Sequence, residues 1–275
     1  MQKMKKIAVI FLVTISFLSC SEYQKVLNKG EVTDQYKMAT KMYEAKKYGR
    51  AITLFEKITP SYRAKPQMER IQYMISDAYY QTKQYSLSSY YFNRFTKNYP
   101  KSTKREEAAF LSAQSYYLDS PIFSLDQKTT HEALTALQGF IDTYPNSDKI
   151  DEANKSVKEL QYKLEKKAFE TAKQYYHIED YIASIKSFDN LISDFLGTSF
   201  REEAIFYKFK ASYELGIKSV VSKKEKRLND AVKAYDKLKR NYPESEYLKD
   251  SNKMLDDLNK ELVTVKELIA TIENK

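Results

Sequence analysis

A pattern of small and large hydrophobic residues recurs five times along the chain, with members three or four positions apart within each helix. The members that define it are Ala39, Met42, Ala51 and Phe55, then Ser76, Tyr79, Ser88 and Phe92, then Ala113, Tyr116, Ala133 and Leu137, then Ala172, Tyr175, Ser184 and Phe188, and finally Ala231, Tyr235 and Leu238. Such spacings place side chains on one face of a helix. Small residues let two helices approach, and large ones fill the remaining space. The pattern therefore predicts five units, each a pair of helices.

Most of these units close on a tyrosine-proline pair, namely Tyr99-Pro100, Tyr144-Pro145 and Tyr242-Pro243. Proline ends a helix because it lacks the N–H donor and clashes with the preceding turn. Small, aromatic and proline residues in this order resemble the tetratricopeptide repeat, whose hairpins stack into a solenoid. We therefore predict an all-α, tetratricopeptide-like α-solenoid of five helix-hairpin units. Phe195-Leu196 stands where the fourth pair is expected, so we expect a looser turn there.

The repeats are longer than the tetratricopeptide standard of about 34 residues. Two inserts, at residues 118–128 and 217–227, account for much of the added length. Neither Gly nor Pro occurs between Asp151 and Tyr176, which predicts one continuous helix there. That helix would join an N-terminal half (residues 20–150, units one to three) to a C-terminal half (residues 151–275, units four and five).

The chain ends in a regular apolar stripe. Its members are Leu255, Leu258, Leu262, Val265, Ile269 and Ile272. The stripe predicts either a helix that caps the last repeat or a seam for a partner helix, and the sequence leaves both open.

The amino-terminal segment has the pattern of an export signal. Three lysines precede an apolar run from Ile7 to Leu18, which is shorter than the roughly 20 residues needed to span a bilayer. The run ends at Phe17-Leu18-Ser19-Cys20, which resembles a lipobox. We predict that residues 1–19 are a lipoprotein signal peptide and that Cys20, the only cysteine, carries a lipid anchor. An ordinary signal peptide with a chance cysteine is the alternative.

Charge and composition disfavour two classes of function, nucleic-acid binding and catalysis. The net charge is +9, and loss of the three leading lysines with the signal peptide lowers it to +6. No dense basic run occurs, so we expect no nucleic-acid binding. His131 and His177 are the only histidines and lie far apart in sequence, with no phosphate loop or metal-spaced cluster. We therefore predict no enzyme activity, no metal and no cofactor.

One set of aromatic residues is a candidate peptide-binding site. In tetratricopeptide domains the first helix of each pair lines a groove, and positions three before and four after the small residue face into it. In the first four units these positions hold Tyr36 and Tyr43, Tyr73 and Tyr80, Phe110 and Tyr117, and Phe169 and Tyr176. We call these eight residues the aromatic ladder. In the fifth unit, counted from Ala211, the same positions are Lys208 and Leu215. The ladder suits an extended polypeptide, but packing alone also favours aromatic residues there.

Three local segments make the likeness more specific. They are Leu125-Asp126-Gln127 with Thr130 and Ala133, the long helix with Leu164, Lys167 and Ala172, and Tyr181 with Ala183-Ser184-Ile185. Together with the lipobox and the Tyr-Pro closures, these segments resemble the BamD family, lipoproteins of the outer-membrane β-barrel assembly machinery. The resemblance covers nearly the whole chain.

This resemblance implies a non-catalytic scaffold that is lipid-anchored to the outer membrane and faces the periplasm. Its expected partners are unfolded outer-membrane protein precursors and a BamA-like barrel subunit, with accessory assembly lipoproteins as further candidates. Two alternatives stay open: a periplasmic tetratricopeptide lipoprotein that coordinates cell-wall growth, and a glycan-binding surface lipoprotein. The absence of tryptophan disfavours the second.

Overall fold

The computed structural model describes residues 22–273, and every regular element in that range is a helix. The helices are α1 (residues 22–29), α2 (Val32–Glu44), α3 (Tyr48–Ile58), α4 (Gln67–Gln81), α5 (Tyr85–Asn98), α6 (Arg105–Asp119), α7 (Lys128–Thr143), α8 (Ile150–His177), α9 (Tyr181–Asp194), α10 (Arg201–Ile217), α11 (Val221–Asn241) and α12 (Leu248–Glu273), with a short 3₁₀ turn at Thr59–Tyr62. The five predicted hairpins are α2–α3, α4–α5, α6–α7, the second half of α8 with α9, and α10–α11. The all-α, tetratricopeptide-like solenoid is therefore confirmed.

Small residues meet where the two helices of a hairpin cross. The Ser88 hydroxyl donates to the Ser76 carbonyl at 3.2 Å, and the Ser184 hydroxyl donates to the Ala172 carbonyl at 3.0 Å. Each buried serine hydroxyl is hydrogen-bonded to a carbonyl at the contact, so serine can replace alanine there.

Three hairpins turn through one residue in the left-handed conformation. Lys46, Lys83 and Glu179 have φ values of 57°, 59° and 62°. In the second hairpin, the Gln84 N–H then donates to the Tyr79 carbonyl at 2.9 Å, and the other two turns repeat this bond. This is the Schellman way of ending a helix, and it is usually built with glycine.

The turns that close the units share one hydrogen-bond pattern, including the turn without proline. The Ser102 N–H donates to the Tyr99 carbonyl at 3.1 Å, and the Thr198 N–H donates to the Phe195 carbonyl at the same distance. Each hydroxyl then accepts a backbone N–H two residues on, at 3.1 Å for Ser102 and 3.2 Å for Thr198. The expectation of a looser turn at Phe195-Leu196 is therefore wrong, because these bonds form without proline.

The long helix α8 spans 28 residues, which confirms the continuous helix predicted between Asp151 and Tyr176. Within α8 the chain divides into two compact units, each larger than a single repeat hairpin and hereafter the first unit and the second unit. The first unit contains residues 22–121 and 126–158, and the second unit contains residues 122–125 and 159–273. Lys167 holds the short segment of the second unit in place, because its Nζ donates to the carbonyls of Phe123 and Leu125 at 3.2 and 2.7 Å. The boundary inferred from sequence, at residue 150, precedes this division.

The C-terminal elements decide two points that the sequence left open. The lysine-rich insert at 217–227 lengthens a helix, because α11 begins at Val221 and contains most of it. Helix α12 packs its apolar stripe against α10 and α11, where Leu258 and Val265 are buried beside Phe209 and Leu228. The stripe therefore caps the last hairpin.

Candidate functional site

The aromatic ladder lies on the first helix of each hairpin. Six members belong to the first unit, on α2, α4 and α6, and Phe169 and Tyr176 lie on α8 in the second unit. The tyrosines are half-buried, whereas Phe110 and Phe169 are only 5% and 2% exposed. The six tyrosines of the ladder thus keep surface for another molecule; they are Tyr36, Tyr43, Tyr73, Tyr80, Tyr117 and Tyr176. Phe110 and Phe169 belong to the core.

Packing uses part of each ring. The Tyr73 ring meets Phe92 and Phe95 edge-on, with ring centroids 5.8 and 5.6 Å apart. Tyr36 contacts Tyr62 at 5.4 Å, and Tyr80 contacts Tyr85 at 5.7 Å. Burial raises the pKa of Tyr80, and the electrostatic effect of Tyr85 raises it further. The rings therefore hold their own hairpins together and expose only one side.

Two ladder hydroxyls connect neighbouring hairpins. Tyr43 on α2 donates to the carboxylate of Asp77 on α4, and Tyr73 on α4 is hydrogen-bonded to Glu107 on α6. Burial, followed by these bonds, raises the pKa of both tyrosines above the ordinary value. Burial alone would raise the pKa of Glu107, but hydrogen bonds from Lys104 and Tyr73 lower it overall. Glu107 thus stays ionised, and the Tyr43–Asp77 and Tyr73–Glu107 bonds each link two stacked hairpins.

A cleft of about 470 Å³ opens beside these two tyrosines in the first unit. Its lining residues are Tyr43, Glu44, Pro66, Glu69, Arg70, Tyr73, Met74, Phe95 and Lys104. Lys104 Nζ lies 5.4 Å from the Tyr73 ring centroid and 2.7 Å from Glu107. We call this the aromatic cleft. Its apolar rings can hold an aromatic side chain, and Arg70 and Lys104 can bind a carboxylate.

The two ladder residues of the second unit have different surroundings. Phe169 stacks on Phe200 with ring centroids 4.9 Å apart. Tyr176 contacts Tyr207 at 5.7 Å and has Lys210 Nζ 5.1 Å from its ring centroid. Sequence reasoning missed the part played by Tyr207 and Lys210, which follow the Arg-Glu-Glu-Ala start of α10.

The fifth hairpin has a different register from the one counted in the sequence. Arg105 and Arg201 both begin a helix after the same closing turn, so α10 aligns with α6 at an offset of 96 residues. This offset makes Phe206 and Tyr213 the equivalents of Phe110 and Tyr117. The positions predicted from Ala211, Lys208 and Leu215, are therefore wrong for the ladder. Phe206 is buried and stacks on Tyr247 at 4.3 Å, whereas Tyr213 is half-buried.

The remaining sequence candidates lie outside the aromatic ladder. No group of three His, Cys, Asp or Glu residues in this range could hold a metal ion. No helix in this range is long and apolar enough to cross a bilayer. His131 and His177 belong to different units. The lipidation candidate Cys20 lies outside the described residues.

Stacked helical hairpins with an aromatic first-helix face define a tetratricopeptide-like repeat protein. Among protein families, the model described as YfiO, an outer membrane lipoprotein, matches residues 28–228. The chain therefore belongs to this family of outer membrane lipoproteins, the BamD family. No curated protein matches the chain.

Solved structures with a similar arrangement include two repeat proteins. One is the TPR2AB-domain:pHSP90 complex of yeast Sti1, at 13% identity and a TM-score of 0.37, covering 88% of this chain and 95% of that chain. Another is a Podosopora anserina kinesin light chain with nearly identical TPR-like repeats, at 12% identity and a TM-score of 0.31, covering 76% and 96%. Because both scores are low, the fold assignment rests on the hairpins themselves.

Proposed function

We propose that this protein is a non-catalytic scaffold of the outer-membrane β-barrel assembly complex. In this proposal it receives unfolded barrel precursors and docks on a BamA-like barrel subunit, with accessory lipoproteins as further partners. A lipid on Cys20, the only attached group proposed, holds it at the outer membrane facing the periplasm. Membership of an outer membrane lipoprotein family supports this role, and the aromatic cleft is the observation that carries it.

The aromatic cleft suits the end of a precursor chain. Barrel precursors commonly end in aromatic residues, and such a side chain would pack on the exposed sides of Tyr43 and Tyr73. The terminal carboxylate would then lie near Arg70 and Lys104 on the rim. A carboxylate held by two cations gains direction as well as binding energy. Glu44 and Glu69, also on the rim, would disfavour a segment with extra acidic residues.

Peptide binding to the full-length protein tests this cleft. We would measure affinity for a peptide with a phenylalanine carboxyl end and for the same peptide with an amidated end. Wild type should prefer the free carboxylate by about tenfold, corresponding to roughly 1.4 kcal/mol. The Arg70→Gln/Lys104→Gln variant should lose that preference and keep its helicity, whereas Lys97→Gln, an exposed lysine on α5, should retain it. Equal affinity of wild type for both peptides would disprove recognition of the chain end.

The role of the aromatic side chains needs its own variant. Tyr43→Ala/Tyr80→Ala removes two half-buried rings of the ladder, and unchanged precursor-peptide affinity with intact helicity would eliminate ladder contact. Tyr90→Ala serves as the control, since it removes a tyrosine ring that is 57% exposed on α5 and outside the ladder.

Co-purification distinguishes the proposed role from the alternatives. Gentle detergent extraction with a tag on this protein should recover a large β-barrel protein with repeated soluble domains as the main partner. A Cys20→Ser variant should leave the membrane fraction. Recovery of cell-wall enzymes, or of glycan without a barrel protein, would instead support the cell-wall or the glycan-binding role.

A further inference from the structure

The second unit contains a cleft that the proposed function does not use. It has a volume of about 420 Å³ and lies where α9, α10 and α11 meet. Its lining residues are Ile185, Lys208, Ser212, Leu215, Arg227, Asp230, Lys233, Ala234 and Lys237. We call it the basic cleft. The ladder equivalents on α10, Phe206 and Tyr213, are not among its lining residues, so it is separate from the ladder face of the same helix.

Positive charge dominates this cleft, because four cations and one carboxylate line it. Two of the cations are held in place: Lys208 pairs with Asp189 on α9, and Arg227 donates to the Ser219 hydroxyl at 2.9 Å. Lys233 and Lys237 are one helical turn apart on α11 and therefore share a face. Lys233 makes only a solvent-exposed pair with Asp230 at 3.5 Å, which contributes little by itself.

Apolar side chains complete the surface. Ile185, Leu215 and Ala234 are each partly exposed in the cleft. A ligand that matches both features carries an apolar side chain with carboxylates on either side of it. We propose that the basic cleft binds an acidic segment of a partner protein, with one apolar side chain on Leu215 and Ile185 and its carboxylates facing Lys233, Lys237 and Arg227.

Two observations favour a protein segment over an anionic lipid surface. The apolar residues lie inside a recess between three helices, where a flat layer of headgroups makes poor contact. Asp230 also stands among the cations and would repel a dense layer of negative charge. The family match ends at residue 228, so the wall from Asp230 to Lys237 lies beyond the matched region and no role for it comes from the family.

Peptide titration tests the chemistry of the cleft in the full-length protein. The probe is a labelled twelve-residue peptide of alternating leucine and glutamate, compared with the same peptide carrying glutamine. The acidic peptide should bind at least tenfold more tightly, and higher salt should weaken it because exposed charges are screened. Equal binding of the two peptides would overturn the proposal, as would tighter binding of phosphatidylglycerol vesicles than of the acidic peptide.

Matched variants locate the binding. Lys233→Glu/Lys237→Glu should weaken the acidic peptide at least tenfold, whereas Lys226→Glu/Arg240→Glu makes the same charge change on exposed positions of α11 and should change it less than twofold. Ala234→Phe fills the recess without changing charge and should also weaken binding. If the control pair weakens binding as much as the cleft pair, the effect is general attraction and the site is wrong. Helical circular dichroism identifies any variant that fails to fold.

The same proposal has a test in cells that does not depend on the barrel-assembly role. A photo-crosslinking residue at Leu215 should capture a partner segment, which mass spectrometry then sequences. The captured segment should contain an excess of Asp and Glu, and Lys233→Glu/Lys237→Glu should abolish the crosslink. A neutral or basic segment, or a lipid, would contradict the proposal. Because Arg70→Gln/Lys104→Gln alters only the first unit, it should leave this crosslink unchanged, which separates the two proposals.

Discussion

Hydrogen bonds from tyrosine to carboxylate join the first three hairpins, so removing one hydroxyl should loosen their stacking. Tyr73→Phe is the most specific substitution for testing this. Phenylalanine keeps the ring contacts with Phe92 and Phe95, at 5.8 and 5.6 Å, and deletes only the bond to Glu107 on α6. Tyr43→Phe makes the equivalent change to the bond with Asp77. Each variant therefore probes one contact between neighbouring repeats.

The expected cost follows from the charge of the acceptor. A hydrogen bond to an ionised group contributes about 1.5–3 kcal/mol. Because both tyrosines are only half-buried and Glu107 is exposed to solvent, we expect about 1.5 kcal/mol per variant. Asp77 keeps a second donor, since Gln81 Nε2 lies 3.1 Å from it, and Glu107 keeps Lys104 at 2.7 Å. The carboxylates are thus not left without partners, which holds the loss near the lower limit.

Alkaline pH should separate this effect from simple loss of packing. Burial and then the hydrogen bond raise the folded-state pKa of Tyr73, while the unfolded tyrosine ionises near pH 10. The stabilisation is therefore fully present below pH 10 and is lost as the pH rises above it. One such tyrosine adds a slope of up to about 1.4 kcal/mol per pH unit. Tyr73→Phe should lose less stability between pH 9 and pH 11 than wild type does.

Urea unfolding followed by helical circular dichroism at pH 7, 9 and 11 measures both effects. Tyr90→Phe is the control, since that side chain is 57% exposed on α5 and should shift stability by less than about 0.5 kcal/mol. If Tyr73→Phe unfolds like Tyr90→Phe at every pH, the hydroxyl bond contributes nothing and the stacking argument fails.

Three further predictions concern single positions. Gly216→Ala should destabilise the protein by about 1–3 kcal/mol in urea unfolding, because the new Cβ would lie 3.0 Å from Leu228 Cδ2. Gly139→Ala is the control: its new Cβ meets nothing within 4 Å, so it should be neutral or stabilising. Lys167→Met should speed hydrogen exchange at residues 122–127 about tenfold while α8 stays protected, since it removes two bonds to that segment. Lys83→Gly should raise the free energy of unfolding in urea by up to about 1 kcal/mol, because glycine adopts φ of 59° without strain; an unchanged free energy of unfolding would contradict this.

The fold was predictable because its signals are local and repeated. Ala39 and Ala51, or Ser76 and Ser88, occupy crossings where only small side chains fit, and large residues three or four positions away must fill the gap. Physical constraints of this kind appear in every unit, so five weak patterns reinforce one another. The turn at Phe195 shows the limit of this reasoning. Proline indicates such a turn, but backbone and Thr198 hydroxyl bonds form it without proline.

The site was less predictable because its geometry depends on the stacking of neighbouring units. Counting from Ala211 misplaced the fifth-hairpin positions by two residues, since the closing turn and not the small residue fixes the start of α10. Ladder residues also differ in exposure: Phe110 is buried, whereas Tyr43 keeps a free side. Sequence spacing gives the helix face, but the next hairpin determines how much of that face stays open.

The two clefts suggest how one scaffold can bind different partners without reactive groups. The aromatic cleft joins Tyr43 and Tyr73 to Lys104, which begins the next hairpin, and the basic cleft joins Leu215 on α10 to Lys233 on α11. In each, the lining side chains come from more than one helix, so the site exists only when those helices pack correctly. Substitutions that shift the stacking should therefore weaken binding before they unfold the hairpins. Tyr73→Phe, which touches both the stacking and the aromatic cleft, should lose peptide affinity at urea concentrations where helicity is still complete.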